Sequence, residues 1–154
     1  MDRAYVERNR AQTERLKGLR RLSDVELGHP VGEHWTVAVA LAHLGYWDGR
    51  ALGAIEAWRR HGTRLEFWGG VETVVQGIRL DEAVVNDLRL GVWRTIPPRD
   101  ALEQAIRAAE ALDQVVADLT PAEAEVVASQ RYRVLDRSLH RSEHLDEIEQ
   151  ALRS

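Results

Sequence analysis

The sequence contains no cysteine. That excludes a disulfide framework, cysteine-ligated zinc fingers and a catalytic thiol of the protein's own, and it fits a reducing compartment. Also missing is any run of about 18 apolar residues of the kind a membrane-spanning helix requires. Met1 to Arg10 hold no apolar core for a signal peptide. The expectation is therefore a soluble, cytoplasmic protein with no membrane partner. There is no excess of positive charge: the formal net charge is −4 and the isoelectric point about 5.9. Arg20-Arg21 and Arg59-Arg60 are only short pairs, so the basic face of a nucleic-acid binder is not there. Lys17 is the single lysine and carries little functional information. No internal repeat, low-complexity segment or sustained strand alternation runs through the chain.

Helical periodicity is what the sequence does have. The 154 residues are read as one domain, 1–154, long enough to bury a core without cross-links. Residues 2–22 carry Val6, Leu16, Leu19 and Leu22 among charges, an exposed amphipathic helix closed by Ser23-Asp24 and Gly28-His29-Pro30. From Trp35 to about Arg60, Ala40, His43, Leu44, Trp47, Ala51, Ala54, Ile55 and Trp58 share one broad face, and Gly62 is the expected terminator. The stretch 63–80, with Gly69-Gly70 and Gly77, reads as an ordered crossover. A shorter helix follows over Asp81 to Arg94, broken by Pro97-Pro98. Asp100 to Leu119 is a helix ended by Thr120-Pro121, 122–133 is ambiguous, and a last helix spans about Val134 to Leu152. The class is all-α, and four long helices with a long second connection fit a four-helix bundle with a crossover between helices 2 and 3.

Three histidines stand out on this scaffold. His140 and His144 are four apart, so their Cβ atoms stack on one helix face about 6 Å apart and two imidazoles can converge on one cation. His43 lies on the buried side of the tryptophan-rich helix. A third imidazole from a facing helix completes three protein ligands and leaves one position for water or substrate, as in a catalytic metal site. Imidazole suits zinc, nickel, iron or copper, so the ligand type does not name the metal.

The block Trp35-Thr36-Val37-Ala38-Val39-Ala40-Leu41-Ala42-His43-Leu44, Asn86 within Val84-Val85-Asn86-Asp87, and His140-x-x-x-His144-x-x-x-Ile148 together resemble the DinB-like superfamily of metal-dependent proteins. That group includes YfiT-type proteins and the N-terminal domain of mycothiol-dependent maleylpyruvate isomerase. The resemblance implies a bundle of up-down-down-up topology, a homodimer, and a divalent metal, zinc or nickel, held by His43, His140 and His144. In the isomerase branch the first member of the C-terminal pair is a glutamate. His140 stands there in this chain, so the likeness is to the all-histidine branch and away from a mycothiol isomerase. Members with known activity look like transferases or isomerases using a low-molecular-weight thiol. A dication favours the thiolate, and this chain has to take such a sulfur from solution.

Other residues are candidates beside this centre. His140-Arg141-Ser142-Glu143-His144 satisfies H-x-x-E-H, in which Glu143 would be general base. The inverted-zincin reading needs a carboxylate ligand well downstream, and ten residues follow His144, so the expectation is against it. Glu143 and Glu147 remain catalytic or orienting candidates, Glu147 being one turn after His144. Trp47, one turn beyond His43, is the tryptophan expected to line the cavity, whereas Trp35, Trp58, Trp68 and Trp93 read as core or interface. Arg133 and Arg137 could meet an anionic small-molecule substrate, against the plainer reading of a solvated arginine or an ion pair. His29, His34 and His61 read as surface or capping residues. The functional classes left open are a metal-dependent thiol transferase or isomerase, a metal-dependent hydrolase, a non-catalytic metal-binding stress or regulatory protein, and a structural helical dimer.

Overall fold

Tyr5, Asn9, Thr13 and Leu16 recur at helical spacing along the first helix, α1 (Tyr5–Gly18), and all four are buried. The computed structural model describes residues 2–154 except 66–72, 76–77 and 81, and except the side chains of 73–75 and 78–80. After α1 the chain tightens into a 3-10 turn (Leu19–Arg21) and a short helix α2 (Asp24–Leu27), which begins with a capping box between Ser23 and Glu26. A hairpin of β1 (Pro30–Val31) and β2 (Trp35–Thr36) delivers the chain into α3 (Val37–His61). There the Thr36 hydroxyl accepts from the Val39 amide at 3.2 Å, satisfying a donor that a helix start leaves unpaired. Gly62 closes α3 with a φ of 66°, a left-handed conformation that glycine adopts without penalty.

The crossover contains a second hairpin, β3 (Thr73–Val75) with β4 (Ile78–Leu80), and α4 (Glu82–Trp93). Trp68, Gly69-Gly70 and Gly77 lie outside the described residues. Helices α5 (Pro98–Asp118), α6 (Pro121–Leu135) and α7 (Ser138–Arg153) complete the chain. Helices α1, α5, α3 and α7 pack in a ring, each against two of the others. The α3–α5 pair is the most extensive. Gly45 permits this closeness, since a Cβ there would stand 3.2 Å from the Ala105 Cα.

The expectation of a mostly helical protein holds, with three corrections. Two short hairpins occur where no strand was expected. The ambiguous stretch 122–133 lies within α6, because Thr120 and Glu123 form a capping box and Pro121 occupies the first turn, where its missing N–H costs nothing. Thr120-Pro121 therefore starts one helix as well as ending another. The last helix begins at Ser138, not Val134. The backbone is extended at Arg131, the Asp136 carboxylate accepts from the Ser138 amide and hydroxyl, and the Arg137 amide bonds Asn9 Oδ1 on α1 at 2.9 Å.

Two apolar clusters form the core. One centres on Leu41, Leu44, Leu102, Ile106, Leu145 and Ile148, the other on Tyr5, Ile55, Leu112, Val116, Val127 and Leu135. Between them lies a buried polar layer of Asn9 and Thr13 on α1, Asp48 on α3, Asp113 on α5, and Arg137 and Arg141 at the start of α7. Its two aspartates and two arginines balance in charge.

Candidate metal centre

His43 sits two turns inside α3, on the face that the Thr36 cap and the packing against α5 and α7 direct inward. His140 and His144 lie one turn apart on α7. The fold brings the three rings together: one ring nitrogen from each lies within 4.8 Å of the other two. The Nε2 atoms of His43 and His140 are 2.9 Å apart, and the ring centroids of His43 and His144 are separated by 4.6 Å. His43 is buried, and His140 and His144 are partly buried.

Each imidazole has a different support behind it. His144 Nδ1 lies 3.0 Å from a carboxylate oxygen of Glu147, which fixes the proton on Nδ1 and frees Nε2. His140 Nδ1 instead faces the Arg137 guanidinium at 2.8 Å. A guanidinium only donates, so this Nδ1 is the acceptor and the neutral ring carries its hydrogen on Nε2, directed at His43. His43 Nδ1 is buried and, among the described residues, meets no hydrogen-bond partner within bonding geometry.

The electrostatics keep His43 and His140 neutral. Burial pushes the His43 pKa down to about 3, helped by His144 and Arg137 and opposed by the Asn86 side chain and Asp48. His140 is also lowered, first by burial and then by Arg137. A neutral imidazole offers one lone pair to a cation, and at His140, whose Nδ1 accepts from Arg137, Nε2 has to give up its hydrogen before it can serve as a ligand. Nitrogens sharing one zinc ion at about 2.0–2.1 Å stand roughly 3.3 Å apart in tetrahedral geometry, a spacing these side chains bracket. The donor set and its spacing fit a divalent ion held by His43, His140 and His144.

Indoles wall the site. Trp35 from β2 lies 4.9 Å from the His43 ring and stacks on His144 at 5.8 Å, and Trp93 meets His43 edge-on at 5.4 Å. Trp47 is 6.4 Å from His43 and donates to Asn86 Oδ1 at 2.8 Å, which places Asn86 of α4 beside the centre. A groove of about 530 Å³ runs between the first hairpin and α7, lined by Val31, Trp35, Glu147, Gln150 and Ala151 among others. It reaches the two residues that cover His144.

The other candidates separate clearly. Glu147 is at the site, bonded to His144, while Glu143 is exposed. Trp47 abuts His43 as expected, but Trp35 and Trp93, read from sequence as core, lie closer to it. Arg137 is buried, its Nε bonded to Asp48 at 2.9 Å, so it adopts the ion-pair alternative and stands behind His140. Arg133 is exposed. The sequence reading missed Asp48, Asp113 and Arg141. Their signal was present: Asp48 shares the apolar face of Leu41, Leu44, Ala51 and Ile55, and Arg141 that of Leu145 and Ile148.

The profile of the DinB superfamily matches residues 5–145, a span that includes all three histidines, Asn86, helices α1, α3 and α5, and the first half of α7. The chain belongs to the DinB superfamily. No curated protein and no solved structure matches it. Membership in the superfamily agrees with the helical fold, and the histidine cluster within it is a group that could hold a metal ion. Among the described residues no helix is long and apolar enough to cross a membrane.

Proposed function

We propose that this DinB-superfamily protein is a metal-dependent enzyme in which His43, His140 and His144 hold zinc or nickel, and that it acts as a transferase or isomerase using a low-molecular-weight thiol. The observation that carries the reading is the convergence of three imidazoles from two distant segments, with a carboxylate behind His144 that leaves its Nε2 free for an ion. When bound, the ion supplies positive charge that favours a thiolate over a thiol. The protein's own part is to hold three nitrogens on one side of the site, to exclude water with Trp35, Trp47 and Trp93, and to keep protons off His43. The chain has no cysteine, so the nucleophilic sulfur comes from a cosubstrate. The groove beside Trp35 and Glu147 is the approach we assign to the small-molecule substrate.

Metal analysis of protein purified without an affinity tag tests the centre. Turnover is tested with a panel of electrophiles assayed with bacillithiol, mycothiol, glutathione or coenzyme A, comparing wild type with His43→Ala. The expected result is one bound divalent ion per chain and a thiol-dependent reaction that the variant loses. Equal inactivity of both proteins across the panel, with metal retained in wild type, would leave a metal-binding protein without turnover.

A further inference from the structure

We propose that the groove between the first hairpin and α7 binds an organic ammonium; this rests on the assignment of that groove to the small-molecule substrate and names the charge of the group it takes. The groove has a volume of about 530 Å³, within the range of small-molecule sites, and its walls include Pro30, Val31, Trp35, Glu147, Gln150 and Ala151. Glu147 is the one charged side chain among the described residues that line it. Its Oε2 accepts from His144 Nδ1 at 3.0 Å, and its Oε1 meets no hydrogen-bond donor among the described residues. Trp35 stacks on the same imidazole, with ring centroids 5.8 Å apart. His144 thus holds an indole and a carboxylate side by side, and both line the groove.

The electron-rich face of an indole attracts a cation, and a carboxylate attracts it by charge. The carbon groups around an ammonium nitrogen pack against the proline, valine and alanine of the walls. An anion would meet Glu147 with no arginine or lysine among the described lining residues to hold it. A calcium ion takes about six to eight oxygen ligands, far more than one carboxylate and one side-chain amide supply. Two other clefts show the contrast. One of about 670 Å³ sets Arg21 and Arg153 beside Glu26 and Glu149, and one of about 430 Å³ sets Arg10 and Lys17 beside Glu14, Glu110 and Asp113. Those clefts carry cations of their own, whereas the Glu147 groove leaves that role to a ligand.

The probes are choline, its uncharged tert-butyl isostere, and the tert-butylacetate anion, three molecules of similar shape and different charge. Each is titrated into the metal-free protein while NMR follows the Trp35 indole N–H and the Gln150 side-chain amide. Choline is expected to shift both signals saturably and to bind about tenfold more tightly than the uncharged isostere, with the anion weakest. Glu147→Gln, at an exposed position, should remove most of that preference, and Trp35→Leu should weaken choline about threefold while sparing the isostere. Glu149→Gln, which alters a carboxylate of α7 in a different cleft, should leave choline binding unchanged. Equal binding of choline and its isostere, tighter binding of the anion, no saturable binding, or equal losses in Glu149→Gln and Glu147→Gln overturns the proposal. If Trp35→Leu does not fold, the probe series on wild type and Glu147→Gln decides. Choline preference in a protein that binds no divalent ion overturns the metal reading and keeps this one, and an ion-binding protein without the preference does the reverse.

Discussion

The Nε2 atoms of His43 and His140 lie 2.9 Å apart, although 97 residues separate them in the chain. Two ring nitrogens at that distance share one hydrogen, which an ion held by both has to displace.

Removing a ligand should therefore cost metal and not the fold. His140→Ala or His144→Ala is expected to reduce metal affinity at least 100-fold while leaving the helical circular dichroism intact, because the core area comes from the two apolar clusters. His140→Ala also leaves a buried Arg137 donor without its acceptor, for about 1–3 kcal/mol of lost stability. Loss of helical signal at room temperature in either variant would count against this division of labour.

Acid should destabilise the protein through His43. Its pKa is about 3 in the folded state, against about 6.5 when unfolded, so between these values the unfolded chain binds more protons. Stability is then retained above about pH 6.5 and declines as pH falls toward 3, by up to roughly 1.4 kcal/mol per pH unit from this group. Urea unfolding at several pH values should show a shallower decline in His43→Gln than in wild type. Proton competition for the His43 nitrogen likewise begins near pH 3, and not near the reference imidazole value.

Arg141 is 1% exposed and bonds Asp48, Asp113, Thr13 and the Asn9 carbonyl. Burial alone would lower its pKa, but the two aspartates outweigh that and raise it, so it remains charged. Arg141→Met strips a cation from a buried layer and should cost about 3–5 kcal/mol in chemical denaturation. A loss below about 1 kcal/mol would mean the aspartates find other partners.

Trp35 stacks on His144 and leans over His43, so a paramagnetic ion at the histidines should quench its fluorescence. Ni²⁺ or Co²⁺ is expected to dim the emission of the wild type, and Trp35→Phe should lose a large part of that quenching while Trp58→Phe keeps it. Equal quenching in the two variants would place the ion away from the first hairpin.

Much of the fold was legible because helices announce themselves locally. The apolar row from Ala40 to Trp58, the glycine at 62 and the proline pair at 97–98 mark elements through contacts within a few residues. The histidine cluster was legible for a related reason, since four-residue spacing on one helix is a local fact and His43 lay on an apolar face. The break before Ser138 was not, because it depends on Asn9 of α1 receiving the Arg137 amide. Charged residues on apolar stripes, Asp48 and Arg141, gave a signal whose meaning required knowing which opposite charges would face them.

The sequence by itself determined a helical chain without disulfides or a thiol of its own, and three imidazoles at positions from which they could meet. The tertiary structure decided what stands behind each of them: a carboxylate at His144, a guanidinium at His140, indoles around His43. Periodicity is a property of neighbouring residues and can be read along the chain. The state of an imidazole depends on its burial and on partners up to about a hundred residues away, and only packing brings those within hydrogen-bonding distance.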